Sequence, residues 1–162
     1  MDQTDQKLLE MCEQIELLAG QVYRKLAALH ASDTALAALW TKTAREEDNH
    51  AAQFHVSAAM LAGMVDHVRV TSAEAEPAIH QLKAFLTRCT ASPPSAVEAL
   101  TEMIALEDSL ASFHLDNAAA FVRPEHRNLF QAMMKADRSH VEALRAALAR
   151  RTGGAAGPSH GR

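Results

Sequence analysis

The sequence predicts an all-α chain: an antiparallel four-helix bundle with a long crossover, carrying a short extra helix, between its second and third helices. Three observations carry this reading. Apolar residues recur at alternating spacings of three and four along four long stretches. Gly and Pro number only 6 and 5 in 162 residues, too few for the many tight turns of a β fold. The first and third links are short and the middle one is long, which pairs the helices as two hairpins.

The first helix runs from about Asp5 to His30, and Ser32 with Asp33 then supplies a turn and an N-cap. The second continues to about Met64, with Gly63 as its stop. The crossover follows, over residues 65–94. Within it Thr71-Ser72-Ala73-Glu74 is a capping box, and Ile79, Leu82, Phe85, Leu86 and Cys89 follow at helical spacing. Ser92-Pro93-Pro94-Ser95 breaks the chain, and Ser95-Ala96-Val97-Glu98 is a second capping box. It opens the third long helix, expected to reach about Phe121. Arg123-Pro124 makes the next turn, with Pro124 suited to a first helical position. The fourth helix ends near Arg151, closed by Gly153-Gly154. The expected organisation is one bundle domain over residues 1–152 and a disordered tail over 153–162.

Composition narrows the function classes. A chain of this length buries a real core without disulfide staples. The net charge of −4 and a pI near 6.1 leave no basic footprint, so nucleic acid is not an expected partner. No run of eighteen apolar residues exists, so no transmembrane helix and no membrane partner are expected. The polar, acidic start from Met1 to Glu10 lacks the regions of a secretory signal. Cys12 and Cys89 stand far apart and form no CxxC pair, which suits a reducing cytoplasm.

The inward seams hold the anomaly. Helix one presents Leu9, Cys12, Glu16, Ala19, Tyr23, Leu26 and His30; helix two presents Leu36, Trp40, Thr43, Glu47, His50, Phe54, Ser57, Leu61 and Met64. Helix three presents Leu100, Met103, Glu107, Leu110, His114, Asn117 and Phe121; helix four presents Phe130, Met133, Asp137, His140, Leu144 and Ala147. Each seam is mostly apolar, yet each carries a carboxylate near its middle. Four buried acids cannot all ionise without counter-charge, because each raises the others' pKa in a medium of low dielectric. No seam position offers Lys or Arg. Two divalent cations would balance the four charges, and His50 and His140, each three residues after an acid, would add neutral nitrogen ligands. The alternative is a metal-free polar network that fixes helix register, and it leaves the four acids without basic partners.

The halves also repeat. Glu47 follows Glu16 by 31 positions (47 − 16), and Asp137 follows Glu107 by 30 (137 − 107). Tyr23 stands seven residues after Glu16, and His114 seven after Glu107. Mixed carboxylate and imidazole donors suit iron or manganese.

Glu16, Glu47-Asp48-Asn49-His50, Glu107 and Asp137-Arg138-Ser139-His140 resemble the ligand set of the ferritin-like diiron carboxylate superfamily, which includes rubrerythrins and bacterioferritins. The resemblance covers roughly residues 5 to 150. It implies a centre of two iron ions, manganese being the alternative, held by Glu16, Glu47, His50, Glu107, Asp137 and His140. Tyr23 would supply a catalytic hydrogen bond or proton, and His114 would stand beside the ligands. Four departures shape the expectation. Asp137 is one methylene shorter than the family's usual Glu, so the two metal positions are expected to be unequal. Ile104 and Leu110 stand where rubrerythrins carry an extra glutamate, which brings the set nearer bacterioferritin's. Asp48 replaces the haem-binding methionine of bacterioferritins, so no haem is expected. The rubredoxin-like CxxC pairs are missing as well, so electrons come from iron itself or from a separate protein. The implied function is an oxidoreductase that couples Fe(II) oxidation to reduction of hydrogen peroxide or dioxygen, as a homodimer or larger homo-oligomer. An iron-storage or iron-delivery ferroxidase is the second reading, and a non-catalytic metal-binding bundle the third.

Overall fold

The computed structural model describes residues 3–60, 65–110, 113, 119–121 and 137–153. These form five helices and two short strands: α1 (Gln3–Leu29), α2 (Thr34–Met60), β1 (Val65–Val68), α3 (Ser72–Ala91), α4 (Ala96–Leu110), β2 (Ala119–Phe121) and α5 (Asp137–Gly153). None of the described helices is long and apolar enough to cross a membrane.

The long helices α1 and α2 pack along one another as a hairpin. The turn between them is set by Asp33, whose Oδ1 accepts a hydrogen bond from the Leu36 amide at 3.0 Å and so caps α2. Glu16 of α1 lies opposite His50 of α2, and Gly20 opposite Ala44, so the two helices run antiparallel. Gly20 sits where the helices approach. A Cβ built there would stand 3.3 Å from Asp48 Oδ1 and 3.5 Å from the Ala44 carbonyl oxygen. One turn on, Arg24 reaches across to Asp48 at 2.9 Å.

Both capping boxes form. The Thr71 amide donates to Glu74 Oε2 at 2.8 Å, and the Ser95 amide to Glu98 Oε2 at 2.8 Å. The helix that follows the first box is not the short one expected of the crossover. It runs for 20 residues and buries Ala75, Ala78, Ile79, Leu82, Phe85 and Cys89, packing on α1. Its apolar stripe from Ala75 to Cys89 spans about four turns, and a helix of that length is needed to bury it against a neighbour.

The third long helix also differs from expectation. Its described part is Ala96–Leu110, and Ala119–Phe121, expected to be the helix's last turn, is a strand paired antiparallel with Val65–Val68. Val65 and Val68 are β-branched and favour extended backbone, and pairing with them overrides the helical preference of Ala119 and Ala120. Asp5 anchors the pair on α1 by accepting a hydrogen bond from the Val68 amide at 2.9 Å. The expected start of the fourth helix at Pro124 lies outside the described residues, as do residues 61–64 and 154–162. From Asp137 onward the helix is present, and it packs against α4 and α2. Arg145 pairs with Asp108 of α4 at 2.8 Å, and Arg151 pairs with Asp33 at the hairpin turn. Leu9, Leu26, Trp40, Leu82, Leu100, Met103 and Leu144 form the core between these helices.

Candidate metal centre

Three acids and an imidazole are sealed inside this core. Helix α1 turns Glu16 and Tyr23 to one face, because residues seven apart are two turns apart. Helix α2 presents Glu47 and His50 one turn apart, and α4 presents Glu107. Glu16, Glu47, His50 and Glu107 are 2%, 1%, 4% and 3% exposed, and Tyr23 is fully buried. Ordinary carboxylates stay in water, so burial at this level demands compensation.

Glu16, Glu47 and His50 each offer a ligand atom, and these atoms lie within 4.8 Å of one another. His50 Nδ1 stands 3.0 Å from Glu47 Oε2 and 3.5 Å from Glu16 Oε2. Glu107 completes the described cluster: its Oε1 accepts a 2.5 Å hydrogen bond from the Tyr23 hydroxyl. Burial first, and then the charge of Glu107, pushes the Glu47 carboxyl well above the usual carboxylate range, while the His50 hydrogen bond opposes that shift. Burial, followed by the charges of Glu107 and Glu47, likewise holds the Tyr23 phenol well above its ordinary value. Cys12, one turn before Glu16, is a buried thiol pushed up to about 12 by burial and the Glu16 charge.

These donors fit a divalent metal. Glu16 Oε1 is buried and has no hydrogen-bond partner among the described residues. An acceptor in that state costs about 1–3 kcal/mol, and a cation bound between Glu16, Glu47 and His50 would remove the cost. Carboxylate oxygen and imidazole nitrogen together suit iron or manganese.

The structure thus brings together four of the six expected ligands or their neighbours: Glu16, Glu47 and His50 as one group, and Glu107 joined to Tyr23. Asp137 and His140 fall on the first turn of α5, and their side chains lie outside the described residues, as does His114 entirely. Two polar residues of this core were not picked out as functional from the sequence. Gln53 is 3% exposed and Trp40 fully buried, and among the described residues Gln53 Nε2 and Trp40 Nε1 have no hydrogen-bond partner. Gln53 had a signal: it stands one turn beyond His50, where Phe54 was taken as the seam residue. Trp40 had none, because a tryptophan at a seam position reads first as packing.

The rubrerythrin family model matches residues 7–148, a span that includes every one of these side chains. No curated protein and no solved structure matches the chain. With the match covering nearly its whole length, and buried carboxylates and imidazole gathered within it, the chain belongs to the rubrerythrin family, one of the ferritin-like diiron proteins.

Proposed function

We propose that this chain is a non-haem diiron oxidoreductase that couples Fe(II) oxidation to reduction of hydrogen peroxide or dioxygen. The single observation that carries the reading is the sealed group of Glu16, Glu47 and His50, with ligand atoms within 4.8 Å. Glu107, Asp137 and His140 complete the proposed ligand set, with α1, α2, α4 and α5 as the antiparallel four-helix bundle and α3 as its crossover. When bound, two iron ions supply one electron each, the pair that two-electron reduction of peroxide consumes.

The chain's own residues do the rest. Glu16 and Glu47 would hold an iron ion through carboxylate oxygens, and His50 would add a neutral nitrogen. The hydrogen bond between Tyr23 and Glu107 fixes the Glu107 carboxylate and keeps a proton at the Tyr23 hydroxyl. That phenol stays protonated at neutral pH, because burial and the neighbouring acids oppose its ionisation. It is therefore a donor, held 2.5 Å from Glu107 Oε1, where reduction of an oxygen species needs protons. Trp40 and Phe54, both buried, close this part of the core to water. The asymmetry between Glu47 and the shorter Asp137 would make the two metal positions unequal.

Anaerobic titration with Fe(II), followed by separate optical titrations with peroxide and oxygen, tests the proposal. The expected result is two irons per chain and faster oxidation by peroxide. Faster oxidation by oxygen with accumulation of ferric iron in a large assembly would favour the storage reading. No bound iron, together with unchanged metal content on His50→Ala, would overturn the diiron reading.

A further inference from the structure

Gln53 is a buried polar side chain of this core that the proposed reaction does not use. It is 3% exposed, and its Nε2 has no hydrogen-bond partner among the described residues. Buried amides are ordinarily hydrogen-bonded, and a donor left without an acceptor is costly, so the group calls for a partner from outside the chain. Helix geometry gives the amide its place. Gln53 follows His50 by three positions, so the two side chains share a face of α2 one turn apart. Leu39 stands two heptads before Gln53, on the same stripe, and lines a groove with Ala143, Ala146 and Ala147 of α5. This stripe of α2 therefore looks toward α5. Arg151 pairs with Asp33, and the two helices run antiparallel. Fourteen positions from that contact reach Asp137 on α5 (151 − 14) and Glu47 on α2 (33 + 14), which brings the first turn of α5 level with the cluster. Gln53 thus stands at the His50 end of the cluster, on the side of α2 that faces α5.

The neighbours select what the amide would hold. Glu16, Glu47 and Glu107 offer only acceptors when ionised, and the Tyr23 hydroxyl is committed to Glu107 at 2.5 Å. Trp40 Nε1 also lacks a partner among the described residues, but Trp40 precedes Glu47 by seven positions, on the side away from His50. Among the described residues, Gln53 Nε2 is therefore the uncommitted donor on the His50 side. We propose that Gln53 is a substrate-binding residue of this centre, whose Nε2 donates a hydrogen bond to an oxygen of the peroxide that enters beside His50. The inference rests on the diiron reading and adds a residue to it. A peroxide oxygen accepts such a bond well, and a charged acceptor makes it roughly twice as strong as a neutral one. An amide does not ionise at neutral pH, so Gln53 orients the substrate and takes no part in moving its protons.

Gln53→Met keeps the length and the burial and deletes the donor. Azide serves as the probe, because it is a small anion that accepts hydrogen bonds and gives an optical charge-transfer band on ferric iron. The full native chain and the variant are loaded with iron, oxidised and titrated with azide. Both should hold the same amount of iron, while the variant should bind azide at least about tenfold more weakly, the loss of one hydrogen bond to a charged partner. In steady-state turnover the KM for peroxide should rise by a similar factor, with kcat changed less. The metal-free chain supplies a second measurement. Gln53→Met removes an unpaired buried donor, so its thermal unfolding should come no earlier than that of the native chain. Full iron with equal azide affinity would overturn the inference and leave the diiron reading standing. A metal-free variant that unfolds more than about 4 °C below the native chain would overturn it too, because the amide would then be bonded within the chain. A native chain that takes up no iron defeats the diiron reading and the inference together.

Discussion

Replacing Glu47 by Gln should stabilise the metal-free protein while abolishing its response to metal. The carboxyl is 1% exposed, and its ligand atom lies within 4.8 Å of those of Glu16 and His50. Two ionised carboxylates at that separation repel by about 3.5 kcal/mol at an effective dielectric of about 20. The 3.0 Å hydrogen bond with His50 returns part of this, on the order of 1.5–3 kcal/mol for a bond to a charged group. The net gain for Glu47→Gln is therefore about 0.5–2 kcal/mol, or roughly 1–8 °C in Tm for a domain of this size. Its pH dependence carries the sharper test. Burial raises the folded-state pKa of Glu47 above its ordinary 4.5, so above that value the folded state holds a proton that the unfolded state has lost. The stabilising contribution is complete below about 4.5 and is lost as pH rises through the raised folded value. The advantage of the Gln variant should be near zero at pH 4.5 and should grow toward pH 8. Thermal unfolding followed by circular dichroism, in chelator-treated samples across that range, measures it. Added Fe(II) or Mn(II) should raise the Tm of the native chain alone. A variant less stable than the native chain at pH 8, by the same margin as at pH 4.5, would refute the reasoning and make Glu47 a structural hydrogen-bond partner.

Three further outcomes follow from individual contacts. Tyr23→Phe removes the donor to a buried carboxylate and should cost about 1.5–3 kcal/mol in urea unfolding of the metal-free chain, with a near-zero effect placing the hydroxyl outside any real bond. Cys12 is buried with its thiol pushed up to about 12, so the folded protein should resist thiol reagents at pH 8 and react only on unfolding, whereas rapid labelling of the native chain at Cys12 would contradict its burial. Gly20→Ala should be neutral or stabilise by up to about 1 kcal/mol, since the closest atoms are the flexible ends of Arg24 and Asp48 at 3.3 Å and helix propensity favours Ala; a loss above that size in thermal unfolding would show that the α1–α2 approach has no room.

Local chemistry made much of the fold legible. The Asp33 cap, both capping boxes and the hairpin of α1 and α2 depend on residues within a few positions of one another, and each appears where the sequence puts it. The strand pair was not legible. Ala119-Ala120-Phe121 continues a helical pattern, and only its pairing with Val65–Val68, more than fifty residues away, makes it extended. The helix between the second and fourth was legible from its capping box at Thr71 and its apolar stripe to Cys89, and at 20 residues it is longer than the short one expected. In the site, Glu16, Glu47, His50 and Glu107 stood out because acids in an apolar seam with no Lys or Arg need a counter-charge. The bond from Tyr23 to Glu107 spans 84 positions, and the stacking of Tyr23 on Trp40 needs two helices in register, so periodicity along one helix signals neither.

The raised pKa of Glu47 and the fit of the site to metal are one electrostatic fact seen twice. Near neutral pH the metal-free core lowers its own repulsion by keeping a proton on or near Glu47, and the cost of ionising that group is the same cost that a cation removes. A metal entering between Glu16, Glu47 and His50 must therefore displace that proton, so binding releases acid and weakens as pH falls. An unbuffered titration with Fe(II) or Mn(II) should then show proton release in step with occupancy, and Glu47→Gln should reduce it. Metal binding without proton release would mean that the acids were already ionised, and the compensation for their burial would have to come from elsewhere in the core.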